Sequence, residues 1–443
     1  MEFAMIADDL TGANDSGVQL AASGYSASVL FRLDEEAPGS VDAVVLNTDS
    51  RADSPQTAYA KVRNAADYVS RLSAGIVYKK LDSTLRGNIG AELDAVYDAF
   101  KPDFIVLAPA YPGNGRTTEN GYQYRSGTLV HNTEAAHDPV TPVTESYIPK
   151  LVGMQSQRAC ALITRDELMD QSALTVKLEL LHKAAVAYLL FDALYDEDLD
   201  HVARSMAGSG LRIVWAGSAG LARSLALQAA DRAWGGGAGL KSQKPGTGQG
   251  PSSGMGTQPA LAVIGSVSGI SRGQLTYMLE AGVNGVAVQS DLLVGGGGAR
   301  NQEIHRAAVE VGASLSSGKD TVLYCSASEE DIIRAKAMGE RQGLRPTEVG
   351  AVIAEGLAEA LVEALPECEP AGFVMTGGDT AGHICSLIGA KRFDLLGEVE
   401  TGVPLGRLIC RDKQWTAVTK AGGFGTKAVL LQAMKRIKEA SRI

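Results

Sequence analysis

Cross-linking chemistry is scarce in this chain. Its 443 residues hold five cysteines (Cys160, Cys325, Cys368, Cys385 and Cys410), odd in number and with no CxxC pair. That pattern excludes a disulfide framework and a zinc knuckle, and a reducing compartment, the cytoplasm, is expected. Aromatic residues make up only 5%, too few for an aromatic-rich binding module. Positive charge is in deficit: 41 Lys and Arg stand against 51 Asp and Glu, a net charge of −10. Such a field repels nucleic acid and anionic lipid, so neither is an expected partner. No apolar run approaches the ~18 residues of a membrane span, and the opening MEFAMIADDL turns acidic by its eighth residue, so no export signal is expected. Two nucleotide signatures are missing as well. There is no GxxxxGK[ST], and no complete GxGxxG follows a strand-like run.

What remains is ordinary globular composition with abundant glycine. Hydrophobic residues are 45%, charged residues 21%, and Gly numbers 51. At roughly 100 to 200 residues per domain, the length asks for two domains. A Gly-, Ser-, Pro- and Gln-rich stretch without apolar periodicity, residues 234–259, reads as a linker between domains at 1–233 and 260–443. In the first part, apolar runs at 3–7, 27–31, 43–47, 76–80, 104–108, 159–164, 187–191 and 213–216 alternate with helical stretches, among them helices from about Asn14 and from Pro55. In the second part, runs at 260–264, 285–289, 320–324 and 372–375 alternate with helices from Ser271, at 302–311, at 348–364 and from Thr426. Both parts read as α/β, each with a mostly parallel sheet. The run Gly295 to Gly298 reads as a mobile loop.

In open α/β sheets ligands gather at the carboxyl ends of strands, and the sequence puts its polar clusters there. The first is Asp8-Asp9-Leu10-Thr11-Gly12-Ala13-Asn14-Asp15, directly after an apolar run. Thr11 or Asn14 could cap the following helix, yet a cap needs one or two residues, not three carboxylates, a hydroxyl and an amide. The second is Lys79-Lys80-Leu81-Asp82-Ser83-Thr84-Leu85-Arg86-Gly87-Asn88. Two lysines, an acid, two hydroxyls, a guanidinium and an amide can grip a small polyol acid, with Arg86 for its carboxylate and Asp82 and Asn88 for hydroxyls. The structural rival for Arg86 is a salt bridge to Glu92. Residues 109–125 follow as a turn-rich loop holding Arg116 and Arg125. His131 and His137, six apart, make a poor metal pair and read as surface or structural residues. In the second part, three glycine-hydroxyl turns each lead toward a helix: Gly265-Ser266-Val267-Ser268, Thr376-Gly377-Gly378-Asp379-Thr380 and Gly422-Gly423-Phe424-Gly425-Thr426. Backbone N–H groups freed by glycine at helix starts make cradles for nucleotide phosphates.

Taken in order, ADDLTGAND, KLDSTLRGN, the GSAGL stretch at Gly217 to Leu221, and the GSVS, TGGDT and GGFG turns resemble the four-carbon acid sugar kinase family over nearly the whole chain. The resemblance implies an ATP-dependent kinase acting on the 4-hydroxyl of a four-carbon sugar acid, with the acid held by the first domain and ATP by the second. On the matching positions it implies acid binding by Asp8, Asp9, Lys80, Asp82, Arg86 and Asn88. It likewise implies nucleotide binding by Ser266, Ser268, Gly377, Gly378, Asp379, Thr380, Gly422 and Gly423. The run Asn14 to Gln19 is more similar to D-threonate kinases than to 3-oxo-tetronate kinases. D-threonate is therefore the expected substrate, with D-erythronate or a 3-oxo-tetronate as alternatives.

Phosphoryl transfer asks a protein to align nucleophile and γ-phosphate and to neutralise spread charge, usually with Mg²⁺. Its base would be an acid on a loop: Asp82 first, since Lys79, Lys80 and Arg86 would keep it ionised, then Asp9 and Asp379. Metal ligands are left unassigned, and Asp379 could hold Mg²⁺ or cap its helix. A nicotinamide-dependent hydroxy-acid dehydrogenase and a small-molecule-binding sensor share the two-domain α/β form and stand as other classes. The acid's stereochemistry and the oligomeric state stay open, a homodimer being one option.

Overall fold

The computed structural model describes residues 1–33, 39, 41–138, 140–233, 258–266, 268–326 and 328–441. Most of the expected linker, residues 234–257, lies outside them. The chain forms two compact units, Met1–Ser242 and Gln243–Ile443. Among the described residues no helix is long and apolar enough to cross a membrane.

In the first unit the apolar runs become strands β1 (Phe3–Ala7), β2 (Ala27–Leu30), β3 (Ala43–Asn47), β4 (Ile76–Lys80) and β5 (Phe104–Ala108). A small antiparallel sheet follows, β6 (Arg116–Glu119), β7 (Tyr122–Arg125) and β8 (Thr128–Leu129), then β9 (Cys160–Ile163), β10 (Tyr188–Phe191) and β11 (Ile213–Gly217). The main sheet runs β2-β3-β1-β4-β11-β5-β10-β9 with every pairing parallel. β1 is buried along its whole length, as an interior parallel strand covered on both faces must be. One side of the sheet packs Ile6, Leu46, Val62, Val69, Leu93 and Val96 into a single core. The helix Leu10–Ala22 starts earlier than its apolar pattern suggests, because Asp9 caps it by accepting a hydrogen bond from Gly12 N at 2.8 Å. Thr11 and Asn14 lie inside that helix. Of residues 109–125, expected as a loop, 116–125 form the hairpin β6–β7: Asn120 (φ 50°) and Gly121 (φ 78°) turn one strand into the other, the left-handed pair a two-residue hairpin requires.

The second unit contains β12 (Leu261–Ile264), β13 (Asn284–Val288), β14 (Thr321–Cys325), β15 (Gly372–Thr376), β16 (Arg392–Glu400), β17 (Val403–Ile409) and β18 (Gln414–Lys420). Strands β13-β14-β12-β15-β18 are parallel, and β18-β17-β16 continue antiparallel. β16 interrupts its apolar residues with Arg392, Asp394, Glu398 and Glu400, and β17 holds Pro404 and Gly406, so neither stands out as an apolar run. The run at Gly295 to Gly298 is no loop. It joins the helix Ser290–Gly295 to the helix Gly297–Ser316, with Gly296 (φ 70°) making the break. The last helix begins at Val429 instead of Thr426.

In both units the strands that matter end in register. Asn47, Ala7 and Lys80 are lateral partners, and Gly217 pairs with Lys80 on one side and Ala108 on the other. In the second unit Ile264, Thr376 and Lys420 are likewise aligned. Residues distant in sequence are thereby delivered to one edge of each sheet.

Candidate functional site

In the first unit, the loops after β1, β3 and β4 build an ionic cluster around a residue that motif reading passed over. Arg51 donates from Nε to Asp8 Oδ2 and from Nη1 and Nη2 to the two oxygens of Asp9, each at 2.7 Å. Its Nη2 lies 3.9 Å from Asp82. Burial works against the charge on Asp8, but Arg51, Lys79 and Lys80 outweigh it and hold the carboxyl below its ordinary range. Nothing in the sequence singles Arg51 out beyond its place, four residues past an apolar strand in the polar segment Asn47-Thr48-Asp49-Ser50-Arg51.

Asp82 is gripped by Arg86 through Nε at 2.8 Å and Nη2 at 3.1 Å, and it accepts from Thr84 Oγ1 at 2.5 Å. Burial opposes its charge; Arg86 and Arg51 overcome that and keep it ionised well below the usual carboxylate range. The expected rival partner of Arg86, Glu92, is elsewhere: its carboxylate meets Lys79 Nζ at 2.7 Å, both side chains fully buried, and accepts from Ser50 Oγ at 2.7 Å. Arg86 instead spends its remaining nitrogen on Asp138, at 3.2 Å. Lys79 is thus committed to Glu92, and the cations with the largest hold on Asp82 are Arg86 and Arg51. Asn88, expected to reach a substrate hydroxyl, turns its amide nitrogen onto the carbonyls of Ser50 at 3.2 Å and Asp53 at 2.9 Å, so it holds the Arg51 loop. Lys80 donates to Leu81 O at 2.9 Å beside Gly12.

Three buried polar atoms of this cluster have no hydrogen-bond partner among the described residues: Asp8 Oδ1, Asp15 Oδ1 and Arg116 Nε. Buried polar atoms are nearly always satisfied, so these three are candidates for contact with a polar ligand. Burial pushes the Asp15 carboxyl up; Lys80 and Arg116 pull against this and Asp9 adds to it. The GSAGL stretch supports the cluster from below. A Cβ on Gly217 would sit 2.3 Å from Ala108 O, and Ser218 Oγ donates to Ala110 O at 2.5 Å, fixing the chain that leads to Arg116. His131 Nδ1 lies 2.7 Å from Ser146 Oγ, a structural contact.

The second unit brings its three glycine turns together. Ser268 Oγ and Ser271 Oγ donate to Gly422 O at 2.7 and 3.0 Å, a Cβ on Gly422 would lie 2.3 Å from Ser266 Oγ, and one on Gly377 would lie 3.6 Å from Ser266 N. Gly377 has φ 101°, a conformation that favours glycine, and a Cβ on Gly265 would collide with Thr380 Oγ1. Gly378, Asp379 and Gly423 are exposed, with Asp379 in the first turn of the helix Gly378–Leu387. Beneath the third turn, Lys420 Nζ donates to the carbonyls of Ala421, Gly422 and Phe424 at 2.7, 3.2 and 3.2 Å, and Gln274 Nε2 to those of Phe424, Gly425 and Thr426. With its carbonyls drawn inward, this turn leaves N–H groups for an anion. Lys420 has no place in the motif reading; burial lowers its pKa to about 8.

Among the described residues no three His, Cys, Asp or Glu side chains gather as a metal cage. Mg²⁺ that travels on nucleotide phosphates asks the protein for only one or two carboxylates, and Asp379 at the turn fits that demand.

Residues 3–225 match the sugar-binding N-terminal domain model and residues 261–430 the nucleotide-binding C-terminal domain model. A D-threonate kinase of Bordetella bronchiseptica is 34% identical, over 98% of this chain and 97% of that protein. A D-erythronate kinase of Heliobacterium modesticaldum is 30% identical, over 95% and 93%. The solved structure of a provisionally designated tRNA synthase from Salmonella typhimurium LT2 superposes with a TM-score of 0.79 at 25% identity, covering 98% of this chain and 99% of that one.

Proposed function

The chain belongs to the four-carbon acid sugar kinase family, and we propose that it transfers the γ-phosphoryl group of ATP to the 4-hydroxyl of D-threonate. The observation that carries the reading is the pair of polar edges: an ionic cluster with three unpartnered buried atoms in one unit, and three convergent glycine-hydroxyl turns in the other.

On this reading the acid binds the first unit. Asp8, Asp9, Lys80 and Asp82 meet its hydroxyls and charge, while Arg51, Arg86 and Asn88 hold those groups in position. Two carboxylates divide the work through their surroundings. Asp82, kept ionised by two guanidinium groups, orients a hydroxyl. Asp15, whose carboxyl is raised by burial and whose Oδ1 is unpartnered, is the better proton acceptor from the 4-hydroxyl, since a base works best when its pKa approaches the working pH. Asp82 and Asp9 fall behind it. In the second unit Ser266, Ser268, Gly377, Gly378, Thr380, Gly422 and Gly423 cradle the phosphates, and Asp379 would hold Mg²⁺. Mg²⁺ supplies neutralisation of phosphate charge when bound.

D-erythronate is the second reading, favoured by the Heliobacterium relative. The test is ADP release by the purified protein with ATP and D-threonate, D-erythronate, L-threonate or a 3-oxo-tetronate. D-threonate should give the highest kcat/KM. Release of ADP with none of the acids, or nicotinamide-dependent oxidation of one of them, would overturn the proposal.

A further inference from the structure

Three arginines surround the acid-side cluster, and two are fully employed. Arg51 is taken by Asp8 and Asp9, and Arg86 by Asp82 and Asp138. The third, Arg116, is different. One Nη nitrogen donates to the neutral carbonyl of Asn114, its buried Nε has no partner among the described residues, and no carboxylate there forms an ion pair with it. Arg116 also stands directly opposite Arg125 in the β6–β7 ladder. Like charges at facing positions destabilise a two-stranded pair, so a merely structural role does not explain this arrangement. Arg125 is discharged onto Glu134 at 2.6 Å, which leaves Arg116 as the uncompensated member. A guanidinium cannot shed its proton to escape burial; it needs an anion.

The surroundings aim this charge at the cluster. Asp15 and Asp82 both act on Arg116 through space, without contact. The hairpin is locked in place by buried side chains: Gln123 Nε2 donates to Ser83 O at 2.8 Å, in the same loop as Asp82, and Thr118 Oγ1 donates to Gln123 Oε1 at 2.6 Å. Arg116 is therefore carried on a hairpin that is tied to the loop holding Asp82.

We propose that Arg116 receives the carboxylate of the sugar acid, and that Arg86 is a positioning residue that holds Asp82. The proposal rests on the reading of the first unit as the acid-binding unit. Titration calorimetry of the full chain with D-threonate and with its neutral carboxamide tests it, beside steady-state KM values for acid and ATP. Arg116→Met should weaken binding of the acid by roughly 10²-fold while leaving carboxamide binding and the KM for ATP within about twofold. Arg116→Lys should recover part of the loss. Equal losses for acid and carboxamide would make Arg116 structural, and a rise in the KM for ATP instead would put it on the nucleotide; either overturns the proposal. Should the wild-type chain bind and phosphorylate no four-carbon acid, the acid-binding reading fails with it. Acid binding by the wild type that Arg116→Met leaves unchanged removes Arg116 alone.

Discussion

Arg51 and Asp9 face each other through two parallel hydrogen bonds, Nη1 to Oδ2 and Nη2 to Oδ1, both 2.7 Å long. The same guanidinium reaches Asp8 through Nε, so one side chain bridges two adjacent acids that would otherwise repel. A lysine cannot imitate this geometry. Arg51→Lys should lower kcat/KM for the acid by about 10²-fold and cost about 1–3 kcal/mol in urea denaturation, because one acid is left unpaired. A variant with normal stability and activity would show that the pair is dispensable.

The two carboxylates assigned different tasks should separate kinetically. Asp15→Asn should cut kcat by roughly 10²-fold or more with little change in either KM, whereas Asp82→Asn should act mainly on the KM for the acid. In the wild type, kcat should fall on the acid side as Asp15 takes up its proton, at a higher pH than an ordinary aspartate would, since burial raises that group. The pH profile of kcat checks this directly. The reverse pattern, kcat lost with Asp82→Asn alone, would return the base to Asp82.

Lys79 and Glu92 form an ion pair with no access to water. Removing one partner strands a buried charge, so Lys79→Met should destabilise the first unit by about 3–5 kcal/mol in urea denaturation. The double variant Lys79→Met, Glu92→Leu should be less damaged than the single one. Additive losses would contradict the pairing.

Lys420 predicts opposite trends for stability and binding. Burial lowers its pKa to about 8, against an ordinary value of 10.5 that it regains on unfolding. Between those values the unfolded chain binds more protons, so this group's contribution to stability rises with pH from about 8 to 10.5. Over the same window the ammonium that pins the Ala421 to Phe424 carbonyls loses a proton, and the KM for ATP should rise. Groups facing Lys420 are those three carbonyls and Ser271 Oγ, none of which titrates there. Lys420→Met should flatten both trends by this group's share, measured by thermal unfolding and by ATP titration.

The architecture was legible where strands are buried on both faces. Phe3–Ala7, Ala43–Asn47, Ile76–Lys80 and Phe104–Ala108 stand out as apolar runs because both sides of each strand must be covered. Strand β16 was hidden because its charged residues break up the apolar positions, β17 because Pro404 and Gly406 interrupt it, and the hairpin β6–β7 because its Asn-Gly turn resembles any other turn-rich loop. The clusters after β1 and β4 and the glycine turns could be read as sites, since their composition exceeds what a helix cap needs. Arg51 could not be singled out, because a lone arginine after a strand has no pattern; only the register of Asn47 with Ala7 brings it to the two acids. Asn88 had the right chemistry for a hydroxyl, and nothing in its segment disclosed that three nearby carbonyls would claim its amide.

Aligned strand ends also divide the first unit into a rim that carries the ionic cluster and one that does not. The connections at the opposite rim, such as Arg71 to Gly75 before β4 and Gly208 to Arg212 before β11, carry none of the ionic cluster, and Ser73, Gly208 and Gly210 are open to solvent. Exposed junctions of this kind tolerate insertions and new chain ends. A fluorescent reporter or a surface tether could be grafted there, with the chemistry at the far end of the same strands left intact.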